Sequence, residues 1–127
     1  MALIVVAEDE VLLADMLADF LEDAGHEVAL APHGAAALKL VQERKPDLLI
    51  SDYMMPLMTG AELADAVRRQ PGLANLPILL VSGAQAHLAQ MRPDLFNAVL
   101  NKPYSPQQLM RAVEGLLNGK AHPGNAT

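Results

Sequence analysis

The chain has 127 residues, 52% hydrophobic and 19% charged, enough for one packed core and too apolar for a disordered segment. Its formal net charge of -6 and four dispersed aromatics, Phe20, Tyr53, Phe96 and Tyr104, exclude a basic, base-stacking surface for direct nucleic-acid binding. With no cysteine there are no disulfides, thiol nucleophiles or thiolate metal sites. No apolar run is long enough to cross a bilayer, and the first strand follows Met1 with no secretory pattern of charge, apolar stretch and cleavage site. The expectation is a cytoplasmic, monomeric domain without membrane contact.

Ala2 to Ala7 is a short apolar run that reads as a buried strand and ends on Glu8-Asp9. From Val11 to Ala24, Leu13, Leu17, Phe20 and Ala24 recur at helical spacing, and Gly25 follows to close the helix in a left-handed conformation. His26 to Ala31 predicts a second strand. Pro32-His33-Gly34 turns the chain into a helix from Ala35 to Arg44, with Ala37, Leu40 and Val41 on one face and Pro46 beyond its end. A third strand near 47–51 leads to Asp52. After the loop Tyr53 to Gly60, in which Thr59 reads as a cap, a helix runs from Ala61 to about Gln70. A fourth strand covers 77–82 and ends on Ser82. Gly83 to Asn97 is weakly periodic and broken by Pro93, so any helix there is short or distorted. Ala98 to Asn101 is the fifth strand, followed by Lys102. Ser105-Pro106 then caps and starts a last helix whose stripe is Leu109, Ala112, Val113, Leu116 and Leu117. Residues 1–118 make one domain, and 119–127 read as a flexible tail.

Five short apolar strands alternating with helical segments predict an α/β fold, a three-layer (βα)5 sandwich of the flavodoxin-like kind with a parallel sheet in order 2-1-3-4-5. That order brings Glu8, Asp9 and Asp52 into the crevice where the strand order reverses, at the carboxyl edge of the sheet. Two like charges about 4 Å apart at an effective dielectric of about 20 repel by about 4 kcal/mol, so clustered carboxylates call for a cation, a proton or strong hydrogen bonds. Oxygen ligands without Cys or clustered His suit Mg²⁺, or Mn²⁺, which keeps waters and takes phosphate oxygens as partners. A carboxylate can attack phosphorus, with Ser82 donating to a phosphoryl oxygen and Lys102 supplying positive charge.

The ordered fragments Glu8-Asp9-Glu10, Ser51-Asp52-Tyr53-Met54-Met55-Pro56, Val81-Ser82-Gly83-Ala84 and Asn101-Lys102-Pro103-Tyr104, with Pro56 and Gly60 between, carry a family pattern. From Ala2 to about Asn118 the chain resembles a response-regulator receiver domain of two-component signalling. The resemblance implies that Asp52 accepts phosphate from the phosphohistidine of a sensor histidine kinase or histidine phosphotransfer protein. It also implies that Asp9, Asp52 and the Met54 carbonyl coordinate Mg²⁺, with Glu8 acting through a bound water. Ser82 and Lys102 would bind the phosphoryl group, and Lys102-Pro103 would be a cis peptide. Gly83 would leave room for the donor, while Met54 and Ala84 hold the positions that tune dephosphorylation; with neither able to orient a water, autodephosphorylation should be slow. Glu8 replaces the usual Asp, a mild variation, and Ser82 preserves the hydroxyl of a usual Thr.

Val99 stands three residues before Lys102, where many receivers carry Tyr or Phe as a switch, and Gln85 to Asn97 lacks the usual Ala/Gly-rich approach to the fifth strand. Two readings follow. One is a phosphorylation-dependent switch of a protein-interaction surface, a signalling phosphoacceptor rather than an enzyme. The other is a pseudo-receiver that docks and signals without phosphorylation. Met54, Met55 and Met58 are expected to pack under their loop, the histidines His26, His33, His87 and His122 to lie at the surface, and Glu10 to contribute to the start of the first helix.

Overall fold

The computed structural model describes residues 2–83 and 92–119. Five strands, β1 (Leu3–Ala7), β2 (Glu27–Ala31), β3 (Leu48–Asp52), β4 (Ile78–Ser82) and β5 (Ala98–Asn101), form one sheet in the order β2-β1-β3-β4-β5. Every neighbouring pair is parallel. Four helices lie among the described residues: α1 (Val11–Asp23), α2 (Gly34–Arg44), α3 (Gly60–Arg68) and α4 (Pro106–Leu117). The expected helical segment after Gly83 lies largely outside the described residues, as do Ala84, His87 and the tail from Lys120.

The alternation along each strand explains the three layers. In β1, Ile4 and Val6 join Leu17 and Leu21 of α1 and Leu109, Val113 and Leu116 of α4 on one face. Val5 and Ala7 join Ala37 and Val41 of α2 and Leu63 and Val67 of α3 on the other. Because both faces are covered, β1, β3 and β4 read as continuous Val/Ile/Leu runs rather than as polar-apolar alternations. Burying an aliphatic side chain such as Leu49 or Leu80, both 0% exposed, contributes about 1.5–3 kcal/mol.

The helix ends follow local chemistry. Thr59 and Ser105 each form a reciprocal capping box, with Glu62 and Gln108, and Pro106 occupies the first turn of α4. Gly25 takes φ +96° after α1, as expected, while α2 ends at Lys45 with φ +48°. One expected face is rotated: α1 buries Ala14, Leu17, Ala18 and Leu21, whereas Leu13 and Phe20 are partly exposed and Ala24 lies beyond the helix, exposed. The small Ala14 and Ala18 allow α1 to lie close against the sheet, so the buried stripe runs through residues that hydropathy ranks low.

His26 also departs from expectation. Its side chain is 9% exposed; Nδ1 accepts a hydrogen bond from the Ala2 N–H at 3.2 Å, and Nε2 lies 3.1 Å from Glu114 Oε2. The imidazole thereby ties the start of β1 to α4. His33 is exposed and caps α2, its Nδ1 accepting from the Ala36 N–H.

Candidate functional site

The site is built where β1 and β3, adjacent in space, both end. One carboxylate oxygen from each of Glu8, Asp9 and Asp52 lies within 4.8 Å of the others. Glu8 is only 4% exposed; its N–H extends the β1–β2 ladder by donating to the Ala31 carbonyl at 3.0 Å, and its Oε2 accepts from the Glu10 N–H at 3.0 Å. Glu10 thus starts α1 through its backbone, not through a side-chain cap. Asp52 Oδ1 accepts from the Tyr53 N–H at 2.9 Å and faces Lys102 Nζ at 3.4 Å, its side chain 11% exposed.

Burial dominates the electrostatics. It pushes the Glu8 carboxyl up from an ordinary 4.5 to about 7, opposed by the Glu10 N–H, reinforced by the Asp52 charge and relieved in part by Lys102. Burial likewise raises Asp52, with Lys102 pulling the other way. Three carboxyl groups and one ammonium leave an excess of negative charge at the sheet edge, which a proton on Glu8 or a hard cation would offset.

The remaining residues close the site from β4 and β5. Ser82, at the end of β4, is fully buried, and its Oγ has no hydrogen-bond partner among the described residues. Its carbonyl accepts from the Lys102 N–H at 2.9 Å, and the Lys102–Pro103 peptide is cis. A Cβ added to exposed Gly83 would meet nothing within 4 Å. Of the loop methionines, Met55 is buried and Met58 partly so, but Met54 is 56% exposed, contrary to the expectation that all three pack beneath the loop. Gly60 closes that loop where no side chain fits, since a Cβ there would lie 2.5 Å from the Asp52 carbonyl oxygen. Val99 packs against the core on the α2–α3 face.

One neighbour had no assigned role in the sequence. Tyr104 lines a groove of about 570 Å³ with Glu8, Leu13, Met16, Phe20 and Lys102, and its phenol is raised by burial and by the negative charges of Glu8 and Asp52. Its place two residues after Lys102 was the available signal. A hollow of about 600 Å³ between Lys45–Asp47 and Gln70–Pro77 shares no residue with the carboxylate cluster.

Comparison with known proteins settles the family. Residues 4–114 match the model of the response regulator receiver domain. The chain belongs to the receiver family. This receiver is 37% identical over 114 residues to an uncharacterized 14.6 kDa protein of Leptolyngbya boryana, covering 87% of this chain and 86% of that one. It is 36% identical to the phosphate regulon transcriptional regulatory protein PhoB of Rhizobium meliloti over 90% of its own length but only 51% of PhoB, so it spans about half of that regulator. Among solved structures, the chemotaxis response regulator CheY4 of Vibrio cholerae matches with a TM-score of 0.84 at 32% identity, covering 91% of this receiver and 98% of CheY4. In this receiver Glu8, Asp9, Asp52, Ser82 and Lys102 stand at one sheet edge, while Ala84 lies outside the described residues.

Proposed function

We propose that this receiver is a phosphoacceptor switch in which Asp52 takes a phosphoryl group from the phosphohistidine of a sensor histidine kinase or histidine phosphotransfer protein. The observation that carries the reading is the convergence of three carboxylates, one ammonium and one buried hydroxyl that has no hydrogen-bond partner among the described residues. A carboxylate oxygen of Asp52 attacks phosphorus, the O–P bond forms as the N–P bond to the donor imidazole breaks, and the imidazole leaves with the electron pair. Lys102, already paired with Asp52, compensates the charge that moves onto the phosphoryl oxygens, and Ser82 Oγ finds there an acceptor that none of the described residues offers. The oxygen-only donor set fits a hard dication: Asp9, Asp52 and the Met54 carbonyl would hold Mg²⁺, or Mn²⁺, with Glu8 acting through a water. Bound there, the ion would neutralise the cluster and polarise phosphoryl oxygens. No helix among the described residues is long and apolar enough to cross a membrane, consistent with a cytoplasmic place for the switch.

Acetyl phosphate labelling followed by intact mass tests the reading. The wild type is expected to gain one phosphoryl group only with Mg²⁺, and Asp52→Asn none. An unlabelled wild type would favour the pseudo-receiver alternative, for which Val99 in place of an aromatic switch residue speaks.

The same assay addresses lifetime. The Met54 thioether stands exposed beside the site and has no donor to orient an attacking water. Met54→Asn is expected to shorten the phosphorylated lifetime about tenfold, the effect of one added hydrogen bond in the hydrolytic transition state. Equal decay of the two phosphorylated proteins would remove Met54 as the cause of slow turnover.

A further inference from the structure

Gly34 is the first residue of α2 and is buried, yet its backbone is not among those with positive φ. Glycine is a poor helix former, so at this position it is explained by space rather than by conformation. That space is filled by Met58 from the loop following Asp52: a Cβ on Gly34 would lie 2.6 Å from Met58 Sδ and 3.0 Å from its Cβ and Cγ. Sδ and Cγ could swing aside only through a new χ1 rotamer, and the Cβ, fixed to the backbone, cannot.

The residue before Met58 gives the contact its importance. Leu57 has φ +69°, and the Met58 N–H donates to the Pro56 carbonyl at 2.8 Å, a γ-turn of the rare positive-φ kind, strained for a leucine. The Leu57 side chain is wholly exposed and offsets none of that strain. The turn is held by its flanks: Met55 buried in the core on one side, Met58 against Gly34 and the Gly60 N–H on the Tyr53 carbonyl at 2.7 Å on the other.

We propose that the seating of Met58 on Gly34 is a positioning device: the start of α2 fixes the strained turn, and the turn fixes the loop after Asp52 that carries the Met54 carbonyl. Gly34 and Met58 are thereby positioning residues of a site that they do not touch. The inference rests on the phosphoacceptor reading and assigns α2 a part in assembling its metal-binding oxygens.

A double-mutant cycle over Gly34→Ala and Met58→Ala tests it, with Mg²⁺ affinity read by calorimetry at 25 °C and labelling by acetyl phosphate read alongside. With Met58 present, Gly34→Ala is expected to weaken Mg²⁺ binding about tenfold, the usual scale for lost outer-shell support. The labelling rate should recover at excess Mg²⁺. In the Met58→Ala background the contacts at Sδ and Cγ are gone and only the Cβ at 3.0 Å remains, so affinity should stay within about twofold of Met58→Ala alone. Equal effects of Gly34→Ala in both backgrounds, or none in either, would overturn the proposal. Should Gly34→Ala fail to fold, a double variant that folds and binds like Met58→Ala supports the proposal, and one that also fails to fold overturns it. A wild type that is labelled and binds Mg²⁺ while Gly34→Ala is unchanged defeats this inference alone; a wild type that does neither defeats the phosphoacceptor reading and this inference with it.

Discussion

Arg68→Met is expected to destabilise the domain by about 2 kcal/mol, the scale of removing a charged donor from several partly buried acceptors at once. The guanidinium at the end of α3 donates to the Leu76 carbonyl at 2.5 Å and the Ala74 carbonyl at 3.2 Å through one nitrogen. Through the other it donates to the Leu95 carbonyl and Asn97 Oδ1, both at 2.9 Å. Asn97 Oδ1 also accepts from the Ile78 N–H at 2.9 Å, and the Asn97 N–H donates to the Ile78 carbonyl at 2.9 Å, so one cation joins α3 to the starts of both β4 and β5. Burial lowers the guanidinium from its ordinary value and Asp94 opposes that, but the planar fork is what matters. Lysine has no second nitrogen for the second pair of acceptors, so Arg68→Lys should recover only part of the loss. Arg69 is the control: 77% exposed and paired with Asp65 at 3.1 Å, it should change stability by no more than about 0.5 kcal/mol on substitution by methionine. Urea unfolding of the three variants decides the matter. Equal midpoints for Arg68→Met and the wild type would show that water replaces the guanidinium without cost.

Arg68 also marks the limit of what the sequence discloses. The strands are legible because burial on both sheet faces leaves uninterrupted apolar runs, and the site is legible because strand order alone brings Glu8, Asp9, Asp52, Ser82 and Lys102 to one edge. Followed by Arg69, Arg68 carries no sign of this role in the sequence, since its partners are mostly backbone carbonyls and these leave no mark in a side-chain pattern. Gly34 is silent for a related reason: its value lies in an absent Cβ and a neighbour 24 positions away, Met58. The face of α1 misleads because alanines fill the close helix–sheet contact, while the larger Leu13 and Phe20 border the groove beside Lys102. His26 reads as a surface residue because one histidine without a partner at ligand spacing carries no local sign that β1 and α4 close over it.

Without divalent metal, the domain is expected to be more stable in mild acid than in mild alkali. The Glu8 carboxyl, ordinarily near 4.5, titrates at about 7 in the folded protein because burial disfavours its charge. Between those values the folded state holds a proton that the unfolded chain has released, so stability falls as pH rises. The stabilisation is fully present below pH 4.5 and is lost as pH passes through about 7. At about 1.4 kcal/mol per pH unit the whole shift is worth about 3 kcal/mol, of which about 2 separates pH 5.5 from pH 8. For a chain of this size that corresponds to a melting midpoint about 8 °C lower at the higher pH. The upward shift of Asp52 adds to the trend with the same sign. Glu8→Gln, which mimics the protonated group at every pH, should flatten the curve and raise the midpoint at pH 8. Excess Mg²⁺ should act in the opposite direction: a cation held by carboxylates competes with the proton, so its stabilisation grows as pH rises and a melting curve with Mg²⁺ loses the fall seen without it. Melting with EDTA across pH 5.5 to 8 separates these terms. A flat profile for the wild type would show that the folded site holds no extra proton, and an undiminished slope in Glu8→Gln would show that the pH dependence arises at a group other than Glu8.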